Sequence, residues 1–287
     1  MNWALLPNDA IDALHLLPGS DPIFGLNALG GAISIGTKDG FAYPGTRGKF
    51  VFGSFSRLGA HAETGASFNE SVAYFGTASY LEEASWRDFS ATRAVQAFGS
   101  LKWRSSRTSV DTRLTVVDTN LTGNGSVPVQ LLELDRSAIF THPDNTQNEL
   151  VMLDAGMQHN VTGAISMAAN VYLRASDIAT LNGDNSDFEE CADSPGTMCD
   201  GGEPLLDPDG NEIPAVGAVM GATINRTATE QDGAGASFQI DIVSTPGGLD
   251  NLLSAGIAYD RSEIEFASDT ELGSLSASRG VYQPGLF

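Results

Sequence analysis

Apolar and polar residues alternate with a period of two through most of the chain after Gly40. In the clearest segment the apolar positions are all odd-numbered: Ile165, Met167, Ala169, Val171 and Leu173. Successive side chains of a β-strand point to opposite faces, so this spacing predicts a strand with one apolar face and one polar face. The same pattern predicts about nine strands, at 48–58, 60–69, 72–81, 94–104, 108–119, 149–160, 164–177, 233–244 and 251–263.

The predicted strands are long. Each covers ten residues or more, whereas strands of soluble sheets most often have about 5–6 residues. A tilted strand that crosses a membrane needs about 9–11. No apolar run reaches the roughly 18 residues of a spanning helix, but a transmembrane barrel distributes its apolar residues over alternate positions. The fold class predicted is therefore all-β, an antiparallel transmembrane β-barrel.

Short and long connections alternate along the chain. The short ones lie at 69–71, 105–107, 161–163 and 245–248, and the long ones at 82–93, 120–148 and 178–232. Outer-membrane barrels have short periplasmic turns and longer extracellular loops. We therefore expect 178–232 to be a large extracellular loop.

The chain is strongly acidic, with 15 basic and 36 acidic residues among 287 and a formal net charge of −21. This charge argues against a nucleic-acid partner, because phosphate contacts require Lys and Arg. Between Ser176 and Asp232 only Arg226 accompanies the acidic residues. That loop is interpreted as a solvated surface, with capture of a cation or a cationic ligand as the alternative.

The two cysteines, Cys191 and Cys199, lie eight positions apart in this loop. In an oxidising compartment such a pair is expected to close a small loop as a disulfide. Half of a zinc site is the alternative, although the chain has no further Cys and no His nearby.

The segment LPGSDPIFGLNALGGAISIGTKDG at 17–40 resembles the closing part of the plug domain of TonB-dependent outer-membrane receptors. The resemblance rests on a Pro-Gly-Ser start and a paired glycine before a short strand that ends in Thr-Lys, and it extends back to Trp3. Its motif positions are Pro18, Gly19, Gly25, Gly30, Gly31 and Lys38. The glycines do not form a phosphate loop, because no Gly-Lys-Ser/Thr follows them; they are expected to permit tight turns and close backbone approach.

The resemblance implies a plug remnant at 1–40 followed by the first part of a barrel at 41–287. Plugged transporters have about 22 strands, so about nine strands imply a partial barrel, and the chain is expected to be a fragment. The family implies a location in the bacterial outer membrane and contact with its lipid. It further implies energised uptake of a scarce ligand such as a ferric siderophore, driven by the TonB complex through an N-terminal box. No enzymatic activity and no cofactor are expected.

A second resemblance concerns the outer loop at 131–148, which is similar to an outer loop of some receptors of this family. Phe140, His142 and Asp144 are its candidate ligand contacts. The alternative is a structured loop that only packs on its barrel.

The sequence predicts no catalytic residue and no metal site. Ser34 lacks the first glycine of a nucleophile elbow and lies in an alternating strand. The four histidines are isolated from one another, without metal-binding spacing. The segment beginning at Asp207 resembles the start of a calcium loop, but Glu212 replaces the required glycine, so a tight turn explains it better.

Three other functions stay open at this point. The chain could be a passive porin-like channel, an outer-membrane barrel enzyme, or a soluble acidic secreted β-protein. An even strand count with converging lumen nucleophiles would favour either of the first two, and extraction without detergent would favour the third.

Overall fold

The computed structural model describes residues 3–19, 30–215 and 221–282, and Gly25 of the glycine motif lies outside these ranges. The chain forms one large antiparallel sheet, an inner hairpin and a small outer sheet. The hairpin pairs β1 (Ile11–Pro18) with β2 (Gly31–Thr37). The small sheet contains β10 (Glu189–Glu190), β11 (Met198–Asp200) and β12 (Glu203–Pro204).

The large sheet has ten strands, of which nine are long. They are β3 (Gly45–Phe52), β4 (Leu58–Ser67), β5 (Val72–Glu83), β6 (Thr92–Arg104), β7 (Thr108–Thr122), β8 (Asp144–Asn160), β9 (Ile165–Asn185), β13 (Ala222–Ser244), β14 (Asn251–Leu275) and β15 (Val281–Tyr282). Each long strand pairs with its neighbours along the chain, the order skipping only β10–β12. Within the described ranges, helical structure comprises α1 (Val129–Leu134) and short 3₁₀ turns at Trp3–Leu5, Asn8–Ala10 and Pro246–Gly248. None of the helices in the described ranges has the length and apolar character needed to cross a membrane.

Each of the nine predicted segments corresponds to one long strand, but several boundaries were wrong. β9, β13 and β14 extend far beyond their predicted outer ends, to Asn185, Ala222 and Leu275. In these extensions apolar residues no longer alternate regularly with polar ones, so the sequence offers no clear apolar face although the backbone pairing continues. β3 ends at Phe52 and not at position 58, because a tight turn follows in which Ser56 has φ of 56°.

The strand register aligns the apolar faces of all the long strands into one outward band. One cross-strand row contains Val110, Met157, Ala169, Phe238 and Ile257. On β13 the outward apolar positions run from Ile242 to Ala234, eight residues apart. At a rise of about 3.4 Å per residue and a tilt of about 40°, this is about 21 Å along the membrane normal, close to the ~25 Å apolar band of outer-membrane barrels.

A row of carboxylates ends this band on the side of the long loops. The register places five acidic residues of five successive strands directly opposite one another: Asp118, Glu149, Asp177, Glu230 and Glu265. All five point outward. The apolar band begins directly below them on β7, β8 and β9, whereas on β13 and β14 the next outward row, Asp232 and Glu263, is charged as well. Because charged groups require water or headgroups, these rows mark the outer end of the apolar band.

Tyr172 crosses over a glycine on the inward face of the sheet. Its hydroxyl donates to Asp260 Oδ1 at 2.9 Å, so the ring bridges from β9 to β14 across Gly235 of β13. A Cβ at position 235 would overlap the tyrosine ring and lie 2.5 Å from Asp260 Oδ1. The absence of a side chain at Gly235 is therefore what permits the bridge.

We expect Gly235→Ala to displace Tyr172 and to lower the free energy of unfolding by about 1–2 kcal/mol. Urea titration of the detergent-solubilised protein, followed by tryptophan fluorescence, measures this change. Gly233→Ala is the matched control, since a Cβ there has no neighbour closer than 3.8 Å. If both variants lost the same free energy of unfolding, the contact of Tyr172 with Asp260 would not be the reason that position 235 needs glycine.

Candidate functional site

The start of the chain lies against the inward face of the large sheet. The side-chain amide of Gln96 on β6 donates to the carbonyl oxygens of Ala4 and Leu6, at 2.9 and 3.2 Å. Ala10 is buried in a small apolar cluster with Phe75 and Phe98. The inward face of the sheet, which we call the wall, therefore holds residues 4–10 through both polar and apolar contacts.

Residues 38–43, which we call the junction, join the hairpin to the sheet and are held by two ionic clusters. In the first, Glu63 of β4 accepts from Lys38 Nζ at 3.0 Å and from Arg47 at 2.7 Å, and its side chain is only 6% exposed. In the second, Lys102 of β6 lies 2.9 Å from Asp39 and 3.7 Å from Asp111. Each cluster pairs a junction charge with an opposite charge on the wall, at depths where charges are costly without partners.

Close packing fixes the junction between the two clusters. A Cβ on Gly40 would overlap the backbone carbonyl of Tyr74 and lie 2.8 Å from the carbonyl oxygen of Ala66. The guanidinium carbon of Arg104 lies 3.6 Å from the ring centroid of Phe41. These contacts leave the backbone of the junction no room to move sideways.

The hairpin beyond the junction is held much less firmly. Leu14 and Leu16 of β1 are 53% and 75% exposed. In the described residues, Asp12 of β1 accepts a hydrogen bond from Tyr43 of the junction, and the backbone N–H of Lys38 donates to the carbonyl oxygen of Ala10 at 2.9 Å. The described contacts of the inner segment are therefore densest where the hairpin meets the junction.

The junction also predicts an acid sensitivity centred on Asp39. Burial acts to raise the pKa of this carboxyl, but hydrogen bonds from Lys102 and from the backbone N–H groups of Phe41 and Ala42 outweigh it and hold the pKa below its ordinary value of 3.8. A lowered pKa in the folded state stabilises the protein above the unfolded pKa, and this stabilisation is lost as the pH falls through the folded pKa.

We therefore expect the junction to open to protease as the pH falls from about 5 to about 3. Acid-tolerant proteolysis at each pH, with cleavage sites read by mass spectrometry, measures the effect. In the Asp39→Asn variant the junction should already be cleaved at pH 5, and its cleavage should increase less as the pH falls. If the variant and the wild type gained the same cleavage over this interval, Asp39 would not be the group responsible.

The motif residues lie where the hairpin turns and where it meets the wall. Pro18 ends β1 and pairs with Gly31, the first residue of β2. Gly31 has φ of 138° and a Cβ there would lie 2.6 Å from the carbonyl oxygen of Leu17, while Gly19 has φ of 101°. Gly30 has no neighbour within 4 Å of a Cβ. Lys38 is the motif residue that reaches the ionic clusters of the junction.

Phe140 and His142 both contact the segment at 279–281, at the end of the sheet that carries the long loops. Arg279 donates from Nε to the Phe140 carbonyl at 2.6 Å and lies over its ring. His142 stacks on Phe89 with ring centroids 3.9 Å apart. Asp144 lies apart from them on β8, where it accepts from Asn182 at 2.7 Å. These contacts attach the loop to its neighbours, and its role in ligand contact stays a prediction.

The large outer loop folds around the small sheet. Cys191 and Cys199 form a disulfide with Cα atoms 5.0 Å apart. Met198 is fully buried against Leu272 of β14, with Phe188, Leu205 and Ile213 around them. Asp207 accepts backbone N–H bonds from Asp209 and Asn211, and these contacts close a tight turn. The loop is thus a small folded unit attached to the outer extension of β14.

Sequence reasoning missed the wall residues of the junction. Glu63 is the single acidic residue of β4, Lys102 lies near the end of β6 two residues before Arg104, and Asp39 directly follows the motif. A charge on the inward face of a long strand was the available signal. Its partner could not be chosen, because that choice depends on where the inner segment crosses the sheet.

Comparison with known proteins bears on the fold. No protein-family model matches this sequence, and no match is found among curated protein sequences. Among solved structures, the chain is similar to the ferric citrate transporter FecA, with a TM-score of 0.66 and 12% identity over 92% of this chain and 36% of that one. It is similar to BauA, the ferric preacinetobactin receptor of Acinetobacter baumannii, with a TM-score of 0.66 and 12% identity over 91% of this chain and 37% of that one. It is also similar to the ferripyoverdine receptor of the Pseudomonas aeruginosa outer membrane, with a TM-score of 0.65 and 14% identity over 90% of this chain and 33% of that one.

These similarities confirm the predicted fold class, an all-β antiparallel barrel of which this chain forms part. The chain spans about a third of the length of the structures it matches. These neighbours are described as transporters or receptors and not as enzymes.

Proposed function

We propose that this chain is part of a TonB-dependent receptor that imports a ferric siderophore across the outer membrane. In this proposal residues 1–40 are the end of the plug domain and residues 41–287 are the first part of the barrel. The TonB complex supplies the energy by acting on the plug.

The observation that supports the proposal best is the junction. A segment that lies on the inward side of a sheet with an apolar outer face, and that the ion pairs Lys38–Glu63 and Asp39–Lys102 attach to that sheet, suits a plug that must move without leaving the barrel. A passive channel has no need of such an arrangement. The structural neighbours are described as a ferric citrate transporter and as receptors for ferric preacinetobactin and ferripyoverdine, which favours an iron chelate as the cargo.

Uptake of radiolabelled iron by whole cells tests the proposal. Cells lacking the gene for this protein should lose uptake of one ferric siderophore from a panel, and the wild-type gene should restore it. Removal of TonB should abolish the same uptake. Unchanged uptake of every siderophore in the deletion strain would reject the cargo, and uptake that persists without TonB would indicate a passive channel.

A further inference from the structure

A polar cleft lies between the outer ends of β5, β6 and β7. Its volume of about 320 Å³ is at the lower end of the ~300–1,000 Å³ found for ligand pockets. β6 begins at Thr92, three residues outward of Val95, which pairs with Asp118 of the row of carboxylates. The cleft therefore opens to the water beyond the apolar band. The side chains that line it are charged groups, hydroxyls and one amide: Glu83, Ser85, Arg87, Ser90, Thr92, Thr122 and Asn124.

Arg87 supplies the cleft with a positive charge that the described residues do not neutralise. None of their carboxylates lies within ion-pair distance of its guanidinium. Its Nη1 donates to the carbonyl oxygen of Gly125 at a long 3.3 Å, and its buried Nε has no hydrogen-bond partner in the described part of the chain. The neighbouring Arg57 and Arg93, in contrast, have carboxylates at 3.0 and 3.3 Å. A partly buried cation without a counter-charge favours the binding of an anion.

The two carboxylates closest to Arg87 in sequence are engaged elsewhere. Glu83 lines the cleft but accepts from Arg57 at 3.0 Å, and Asp88 accepts from the Ser137 hydroxyl at 3.4 Å. Arg57 and Arg87 together oppose only Glu83, so the cleft has one positive charge in excess. This excess complements an anion with a single charge, whereas a phosphate dianion would be repelled by Glu83.

The uncharged lining complements hydroxyl groups. Ser90 and Thr122 already donate to backbone carbonyl oxygens. The hydroxyls of Ser85 and Thr92 make no hydrogen bond within the described ranges, and Asn124 Oδ1 is buried there without a donor. The lining thus leaves two hydroxyls and one acceptor for a ligand that carries hydroxyl groups of its own.

We propose that this cleft binds a hydroxycarboxylate of about the size of a sugar acid. The carboxylate lies at the Arg87 guanidinium, whose planar fork matches two carboxylate oxygens. The neighbouring hydroxyls of the ligand lie toward Ser85, Thr92 and Asn124. The inference concerns binding of the free acid at the outer end of the sheet, and it depends neither on iron nor on TonB.

Isothermal titration calorimetry of the detergent-solubilised protein tests the site, with D-glucuronate, D-glucose and acetate as separate ligands. D-glucose lacks the carboxylate, and acetate lacks the hydroxyls. We expect D-glucuronate to bind about tenfold more tightly than either, since a hydrogen bond to a charged group contributes at least about this factor. The ring centroid of Trp86 lies 5.3 Å from the guanidinium carbon of Arg87, so its fluorescence should change over the same titration.

Arg87→Gln should remove about tenfold of the affinity for D-glucuronate and leave the affinity for D-glucose unchanged. Arg93→Gln is the matched control, because it removes the same charge at the start of β6 from a residue that is already paired with Asp118. This control should bind all three ligands as the wild type does. Equal effects of the two substitutions on D-glucuronate binding would overturn the proposal.

Thr92→Val tests the hydroxyl part of the site and decides the question if Arg87→Gln does not fold. It keeps the shape of the side chain and does not alter the hydrogen bond from Arg87 to Gly125. It should weaken D-glucuronate and D-glucose by a similar factor of about five and leave acetate unchanged. Unchanged D-glucuronate binding in this variant would contradict the proposal. Equal affinities of the wild type for the three ligands, or no measurable binding of D-glucuronate, would do so too.

Discussion

Replacing Gly40 by alanine should detach the junction from the barrel wall. The new methyl group would overlap the carbonyl of Tyr74, and the three atoms nearest to it belong to the backbone of Tyr74 and Ala66, which pair with each other between β5 and β4. Backbone of this kind cannot move aside as a flexible side chain can, so the junction must shift instead and give up its contacts through Asp39 and Phe41. We expect a loss of about 3 kcal/mol or more in the free energy of unfolding.

Limited proteolysis gives the most local measurement of this effect. The Gly40→Ala protein should be cleaved rapidly within residues 38–43, where the wild type resists. Gly36→Ala is the control, because a Cβ at position 36 makes only ordinary contacts of 3.6 Å with Ala13. Equal cleavage of the two variants at the junction would show that Gly40 does not pack as closely against the backbone of Tyr74 and Ala66 as described here.

Neutralising Glu63 should have the next largest effect. The Glu63→Gln substitution keeps the shape of the side chain but removes the charge that Lys38 and Arg47 share. Because Glu63 is 6% exposed and Lys38 is 19% exposed, the remaining ammonium is left largely buried without its counter-charge. Removing one partner of a buried ion pair costs about 3–5 kcal/mol. Because the Arg47 side chain is exposed and remains hydrated without Glu63, we expect a loss near the lower end of this range.

Chemical unfolding of the solubilised protein measures the loss. Glu83→Gln provides the comparison, since Glu83 pairs with Arg57 at the same 3.0 Å but near the surface, with both side chains more exposed. A surface pair contributes about 1 kcal/mol or less. If the two substitutions cost the same, Glu63 would not be a buried anchor of the junction.

The period-two pattern predicted which side chains of each strand face outward. On β9 the predicted apolar face, from Ile165 to Leu173, is the face that the register aligns with the other apolar strands. This worked because burial against lipid selects every second residue over the whole membrane depth. Beyond that depth the regular alternation ends, so the pattern did not predict the extensions of β9, β13 and β14.

Features that depend on register between distant strands could not be predicted from the sequence. Asp118, Glu149 and Asp177 are separate acidic residues along the chain, and only the pairing of β7, β8 and β9 places them side by side. Lys38 was identified through its motif, whereas its partner Glu63 depends on the path of the inner segment across the wall.

The central claim is that one face of the long strands contacts lipid and the other lines the inside of a cylinder. Cysteine scanning of β9 in liposomes tests it most directly, with a spin label at each position from Ser166 to Ala175. The account predicts that labels at Met167, Ala169, Val171 and Leu173 respond to oxygen dissolved in the bilayer, and labels at the even positions respond to a water-soluble reagent. Equal protection at odd and even positions, as in two sheets packed around a dry centre, would contradict it.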